Sequence, residues 1–255
     1  MPAETLVILT GASRGLGHGV ASQYLGAGAH VVGLSRRAAD DLDAIAAVGG
    51  GRVEQWPADL ASPMPLVERL VAWLAAIDAG GQRPARVRLI HNAALLSAPG
   101  DVADGDPAEM ARSLRVGLEA PIALTAAFLR ATAGWQATDR RVLFVSSGLG
   151  RRAMAGSAAY CAQKAGLDHF ARALALEEAV RANGARVASV APGIIDTDMQ
   201  VQLRSADPAA FPEGAKFAQW HASGALASPA QAAAALIALL ERADFGTNPV
   251  ADVRE

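Results

Sequence analysis

Short, wholly apolar runs recur along the chain, spaced so that a helix fits between each pair. Leu6-Val7-Ile8-Leu9 is the first and ends in Thr10-Gly11; Val31 to Leu34 is the second and ends in Ser35-Arg36-Arg37. Further strand candidates are Val53–Trp56, Val87–Ile90, Val142–Val145 and Val187–Val190. Strands apolar on both faces are what a parallel sheet covered by helices on each side requires. Between the runs the apolar spacing turns helical. Leu16, Val20 and Tyr24 form one stripe from Gly15 to about Gly28, and similar stretches cover about 64–78, 107–132 and 157–182. A last helix follows Ser228-Pro229 up to Arg242. This alternation predicts one α/β domain over residues 1–255, a Rossmann-type doubly wound parallel sheet with right-handed crossovers and helices on both faces. The stretch 196–227 breaks the rhythm with Pro208, Pro212 and Gly224. It reads as a lid over a ligand site, with an ordinary surface excursion as the alternative.

Composition narrows the class. Of 255 residues, 52% are hydrophobic and 19% charged, which excludes a disordered chain and leaves ample material for a core. Lys and Arg number 23 against 25 Asp and Glu, a net charge of −2 without a basic block. Neither a nucleic acid nor an anionic membrane is the expected partner. The single cysteine, Cys161, excludes an internal disulfide and a cysteine-cluster metal site, and it reads as a small buried hydrophobe rather than a reactive thiol. His18, His30, His169 and His221 lack metal-ligand spacing, so no metal is expected. No apolar stretch is long enough for a bilayer, and Met1-Pro2-Ala3-Glu4-Thr5 lacks the features of a secretion signal, so a cytoplasmic protein is expected. One imbalance stands out: among the basic residues only Lys164 and Lys216 are lysine, and tyrosine occurs only at Tyr24 and Tyr160.

Thr10-Gly11-Ala12-Ser13-Arg14-Gly15-Leu16-Gly17 joins the first strand to the first helix. Glycines there let the backbone turn tightly and approach a pyrophosphate held at the helix N-terminus. A tight turn packed for its own sake is the plain alternative. At the end of the second strand an acid would bind the ribose hydroxyls of NAD, but here Ser35, Arg36 and Arg37 stand with no acid before Asp40. Arg36, backed by Arg14, offers a planar fork of donors for a ribose phosphate, which favours NADP(H).

Tyr160 and Lys164 lie one helical turn apart on one face. A free phenol has a pKa of about 10, and a neighbouring cation lowers it towards a useful range. A drop of about three units needs roughly 4 kcal/mol of differential stabilisation. A surface Tyr–Lys contact is the alternative. Val142-Leu143-Phe144-Val145-Ser146-Ser147 ends a buried strand in hydroxyls at the rim where such sheets bind ligands, and Ser147 suits a hydrogen bond to a carbonyl oxygen.

Taken together, these residues resemble the short-chain dehydrogenase/reductase family over nearly the whole chain. The family's TGxxxGxG corresponds to Thr10 to Gly17, its acid–apolar pair beside the adenine to Asp59-Leu60, and its Asn-Asn-Ala-Gly to His91-Asn92-Ala93-Ala94. Its serine falls thirteen positions before the tyrosine, which selects Ser147 over Ser146; its YxxxK is Tyr160 and Lys164. Its carboxamide-holding turn is Pro192-Gly193-Ile194-Ile195-Asp196-Thr197. The resemblance therefore implies a catalytic Ser147, Tyr160 and Lys164. It also implies a cofactor site of Gly11, Ser13, Arg14, Gly15, Leu16, Gly17, Ser35, Arg36, Asp59, Leu60, Asn92, Ala93, Lys164, Pro192, Gly193, Ile195 and Thr197. The C-terminal half is most similar to the sepiapterin and benzil (diketone) reductases of the family, through Leu174 to Glu178, Ala191 to Gln200 and the tail from Phe245 to Asp252. That likeness implies that Asp252 anchors substrate; a solvated acid or a local cap is the alternative. Trp220 and Phe217 are candidates to wall a planar substrate, or simply lid packing.

Two departures stand out. The family's fourth catalytic residue, an asparagine that helps hold a water next to the lysine, falls at Gly117, and Ala94 replaces a glycine near the adenosine half. His91 reads as packing or strand-end hydrogen bonding. The resemblance implies an NADPH-dependent carbonyl reductase acting on a dicarbonyl or pterin-like ketone. A beta-ketoacyl or alcohol-type reductase is the alternative within the family, and an NADP(H)-binding sensor or scaffold, motivated by Gly117, is the alternative outside it. Replacing Gly117 with Asn is expected to raise turnover if the site is weakened, and to bring no gain if a water already performs the role. A homodimer through the two long helices is implied, with a tetramer left open.

Overall fold

All six strand candidates form strands: β1 (Thr5–Thr10), β2 (His30–Ser35), β3 (Arg52–Pro57), β4 (Arg86–His91), β5 (Asp139–Val145) and β6 (Arg186–Ala191). In the computed structural model, which describes residues 4–255, they pair in parallel with a seventh strand, β7 (Val250–Asp252), in the order β3-β2-β1-β4-β5-β6-β7. Met1-Pro2-Ala3 lie outside the described residues. The register runs Leu9↔Gly33 into β2 and Leu9↔Ile90 into β4, so the chain order splits on either side of β1. β7 carries no apolar run of its own; three residues on an edge gain their place from pairing with β6, not from periodicity.

The helices are α1 (Gly15–Gly26), α2 (Leu42–Gly49), α3 (Met64–Ala79), α4 (Pro107–Leu114), α5 (Ala120–Ala131), α6 (Ala158–Ala179), α7 (Asp198–Arg204), α8 (Gly214–Ala222) and α9 (Pro229–Glu241). The helix expected over 107–132 is interrupted by a π turn, Arg115–Glu119. α2 goes unpredicted because its short Ala-rich sequence buries only Leu42 and Ala46. α9 begins where its chemistry dictates: Ser228 and Gln231 form a reciprocal capping box and Pro229 occupies the first turn.

Alternate residues of each strand feed two cores, as strand geometry demands. On one face Val7, Leu9, Val31 and Leu143 pack with Val20, Tyr24 and Leu236 of α1 and α9. On the other, Ile8, Val32, Leu89 and Phe144 pack with Leu70, Leu124, Phe128 and Leu167 of α3, α5 and α6. Arg88 of β4 is fully buried and donates to Glu241 at 2.7 Å and Asp139 at 3.0 Å, while the Tyr24 hydroxyl donates to Glu241. These groups close the sheet at the end opposite the functional rim. No helix among the described residues is long and apolar enough to cross a membrane.

Candidate active site

The carboxyl ends of β1, β4, β5 and β6 open onto a cavity of about 820 Å³ that runs from the glycine turn to the segment 196–227. Open sheets of this topology bind ligands at this rim. Gly11 and Gly15 adopt φ of 73° and 56°, the left-handed region that favours glycine. The turn is held from β4. Thr10 Oγ1 accepts from the backbone N–H groups of Asn92 and Ala93 at 3.0 Å, and Asn92 Nδ2 donates to the carbonyls of Thr10 and Gly11 at 3.1 Å. Gly17 stands behind the turn, not on the cavity wall: a Cβ there would lie 2.0 Å from the Gly11 carbonyl oxygen, so it permits helix and turn to touch.

Ser13, Arg14, Gly15, Leu16, Ser35, Arg36, Asp59, Leu60, Asn92 and Ala93 all line the cavity, as do Pro192, Gly193, Ile195 and Thr197. The Ser35 hydroxyl is buried without a hydrogen-bond partner, and a glycine cradle adjoins it. These features fit a nicotinamide dinucleotide. Arg14 does not stand beside Arg36 as a second free cation; its guanidinium pairs with Asp198 of α7. Asp59 likewise pairs with Arg112 at 3.3 Å.

Ser147 follows β5, while Tyr160 and Lys164 occupy successive turns at the start of α6, and all three reach the cavity. Lys164 Nζ donates to the Val145 carbonyl at 2.7 Å and lies 5.5 Å from the centre of the Tyr160 ring. Burial pushes the Tyr160 phenol up to about 12; the Ser147 hydroxyl pulls against that shift and Cys161 adds to it. Lys164 is pushed down to about 8 by burial, opposed by the Asp168 carboxylate. The sequence-based expectation of a phenol lowered by Lys164 is therefore not met. The ammonium is turned towards the strand end, and desolvation of the buried phenol sets the direction of its shift. Tyr160 keeps its proton at neutral pH, the form that a proton donor needs.

Below this pair, Asp168 accepts from Ser146 at 2.6 Å and Ser189 at 2.7 Å, holding α6 to β5 and β6. His91 is buried, stacked on Phe144 at 5.0 Å, with Nε2 against Thr125 Oγ1 at 2.9 Å; burial lowers it to about 3. It packs, as expected, and its charge state does not change near neutrality.

The segment 196–227 folds as α7 and α8, and its base is tied down by hydrogen bonds between Ile194, Asp196 and Ala227. Met199, Leu203, Phe217 and Trp220 join Leu96 on the wall, with Phe217 and Trp220 edge to face at 5.2 Å. Asp252 does not reach the cavity. Its carboxylate accepts two bonds from Arg254, at 2.7 and 2.6 Å, and it is Arg254 that lines the wall. Arg152, Arg254, Leu96 and Leu203 were not singled out by sequence because none belongs to a periodic or motif-like pattern. No group of His, Cys, Asp and Glu suited to a metal occurs among the described residues.

A doubly wound sheet, a glycine cradle and a Ser–Tyr–Lys cluster at one rim define a nicotinamide-dependent oxidoreductase. The family profile described as short chain dehydrogenase matches residues 5–208. The chain belongs to this short-chain dehydrogenase/reductase family, and as such is an oxidoreductase acting on CH–OH and C=O groups. It is 30% identical over 249 residues to a benzil reductase ((S)-benzoin forming) of Bacillus cereus, covering 98% of this chain and 99% of that one. It is 34% identical over 222 residues to the sepiapterin reductase of Bos taurus, covering 80% and 79%. A solved short-chain dehydrogenase/reductase from Burkholderia vietnamiensis is 34% identical with a TM-score of 0.66, covering 100% of this chain and 99% of that one.

Proposed function

We propose that the protein is an NADPH-dependent reductase of apolar, planar ketones, with an aromatic dicarbonyl of the benzil type as its substrate class. The observation that carries this reading is the character of the lid wall. Leu96, Met199, Leu203, Phe217 and Trp220 surround the space in front of Tyr160, while the acids nearby are engaged: Asp198 by Arg14, Asp196 by Arg204 and Asp252 by Arg254. A pterin needs a free carboxylate for its guanidine-like edge; a diketone needs only apolar walls and donors at one oxygen. The choice of NADPH over NADH rests on Ser35, Arg36 and Arg37, with no acid before Asp40.

When bound, the nicotinamide supplies the hydride. The Ser147 hydroxyl donates a hydrogen bond to the carbonyl oxygen, and the Tyr160 phenol, protonated by virtue of its burial, delivers the proton. Lys164, charged below about pH 8, would hold the ribose. Gly11, Gly15 and the start of α1 would take the pyrophosphate, and Pro192 to Thr197 the carboxamide. The reading includes a cytoplasmic homodimer built on α4, α5 and α6. Ile122 on α5, Leu176 on α6 and Val180 just after it support the dimer, as they are large apolar side chains left exposed.

The test follows NADPH and NADH absorbance with benzil, sepiapterin, an aliphatic diketone and a beta-ketoacyl thioester, with Tyr160→Phe beside each. NADPH-specific turnover of benzil, lowered about 10²- to 10⁴-fold by Tyr160→Phe, is the expected result. Preference for the thioester or for sepiapterin would reassign the substrate. Tight NADPH binding without turnover of any of the four would overturn the reductase reading.

A further inference from the structure

Gly117 lies within the π turn Arg115–Glu119, against the residue of α6 that immediately precedes Lys164. A Cβ built on Gly117 would meet the Gln163 carboxamide: 2.0 Å from Cδ, 2.2 Å from Nε2 and 2.4 Å from Oε1. The place of a side chain at 117 is therefore filled from the neighbouring helix. Gln163 is fully buried, and its amide is not free to swing aside. Nε2 donates to the Ser113 carbonyl at 2.6 Å and to Ser113 Oγ at 3.2 Å. Ser113 Oγ in turn donates to the carbonyl of Leu95, a residue of the cavity wall. Oε1 is buried with no partner. A buried amide that satisfies only its donor side is costly, and glycine inside a helix costs about 1 kcal/mol against alanine. Two unfavourable choices that fit one another point to a shared role.

We propose that Gln163 is a positioning residue for Tyr160 and Lys164, with Gly117 the space it requires. Its carboxamide, entering the π turn from α6, ties the face of that helix bearing both residues to α4 and, through Ser113, to the wall segment after β4. The unpaired Oε1 is an acceptor held one residue from the catalytic lysine. This rests on the reading of Tyr160 and Lys164 as the proton-donating pair. It also reverses an expectation drawn from sequence: Asn at position 117 collides with Gln163, so Gly117→Asn alone lowers turnover.

The experiment is a double-mutant cycle with Gly117→Asn, Gln163→Ala and both together. Gly117→Asn is expected to lower the melting temperature of the cofactor-free protein by roughly 2–10 °C and kcat by about ten- to a hundredfold. The double variant is expected to recover most of the loss in melting temperature, because the second change empties the contested space, while kcat stays low because the carboxamide is gone. Gln163→Met keeps the volume and removes the polar atoms. It is expected to lower kcat without raising the carbonyl KM, to move the alkaline limb of the kcat profile, and to weaken NADPH binding. An unperturbed Gly117→Asn, a double variant whose melting temperature falls by the two losses combined, or a Gln163→Met enzyme with the wild-type pH profile would each overturn the proposal. If the wild-type protein reduces no ketone, the reductase reading fails by itself. The melting cycle and the NADPH affinity of Gln163→Met then decide the positioning role on their own.

Discussion

The Lys164 ammonium is tied to the Val145 carbonyl at 2.7 Å, so the helix that carries Tyr160 is fastened to the strand end that leads into Ser147. Asp168 repeats the attachment one turn further along, through Ser146 and Ser189. The three reacting side chains thus stand on a strand end and a helix pinned to one another, not on independent loops. Sites built on such elements keep their geometry more closely than sites on loops.

That attachment makes the pH dependence legible. Burial brings Lys164 down to about 8, and the Asp168 charge opposes the shift. In the free enzyme kcat/KM for NADPH is expected to be level below about pH 8 and to fall above it, as the ammonium loses its proton. Asp168→Asn removes the charge that holds the proton, so the limb moves to lower pH. A limb that stays in place or moves upward in that variant would contradict the assignment of Lys164.

Cofactor choice is tested at the end of β2. Arg36→Ala removes one charge-assisted contact, of the kind that contributes about 1.5–3 kcal/mol. The KM for NADPH is expected to rise about ten- to a hundredfold, with that for NADH changed less than about threefold. Equal losses for both cofactors would move the specificity away from Arg36.

The substrate wall is tested by contrast. Trp220→Ala removes an aromatic surface and is expected to raise the KM for benzil about tenfold. Asp252→Asn, whose carboxylate faces Arg254 rather than the cavity, is expected to leave that KM within about threefold. A large loss with Asp252→Asn and none with Trp220→Ala would restore the pterin-type assignment.

Acid stability isolates His91. In the folded protein burial holds it down to about 3, whereas the unfolded chain binds a proton near its ordinary value of about 6.5. The unfolded state thus takes up more protons as pH falls below about 6.5, and stability is lost by up to about 1.4 kcal/mol per pH unit from this residue. Denaturant titrations from pH 7 to 4 are expected to show a shallower decline for His91→Asn than for the wild-type protein. Equal slopes would place the acid sensitivity elsewhere.

Much of this was legible before any coordinates. Strands apolar on both faces announce themselves, and Tyr160 and Lys164 declare their shared helix face by spacing alone. What remained hidden depends on neighbours distant in sequence. Nothing in Val250-Ala251-Asp252 says strand until β6 offers an edge. Gly117 looked like a loss because Gln163 comes from another helix, whereas Asp252 is claimed by Arg254 only two residues on, close to the local cap that the sequence left open. The phenol's direction of shift was misjudged for a related reason: spacing shows which groups are close but not which of them is dry.

The π turn carries a consequence for the evolution of length in this chain. Each residue advances an α-helix by about 100°, and the turn at Arg115–Glu119 holds one more residue than an α turn. Deleting any single residue there would let α4 and α5 join as one regular helix. Because the extra residue is taken up within a single wider turn, the deletion would leave Leu124 and Phe128 facing the sheet and the Ile122 face outward. The π turn thus lets this stretch of chain differ in length by one residue while the phase of α5 stays the same.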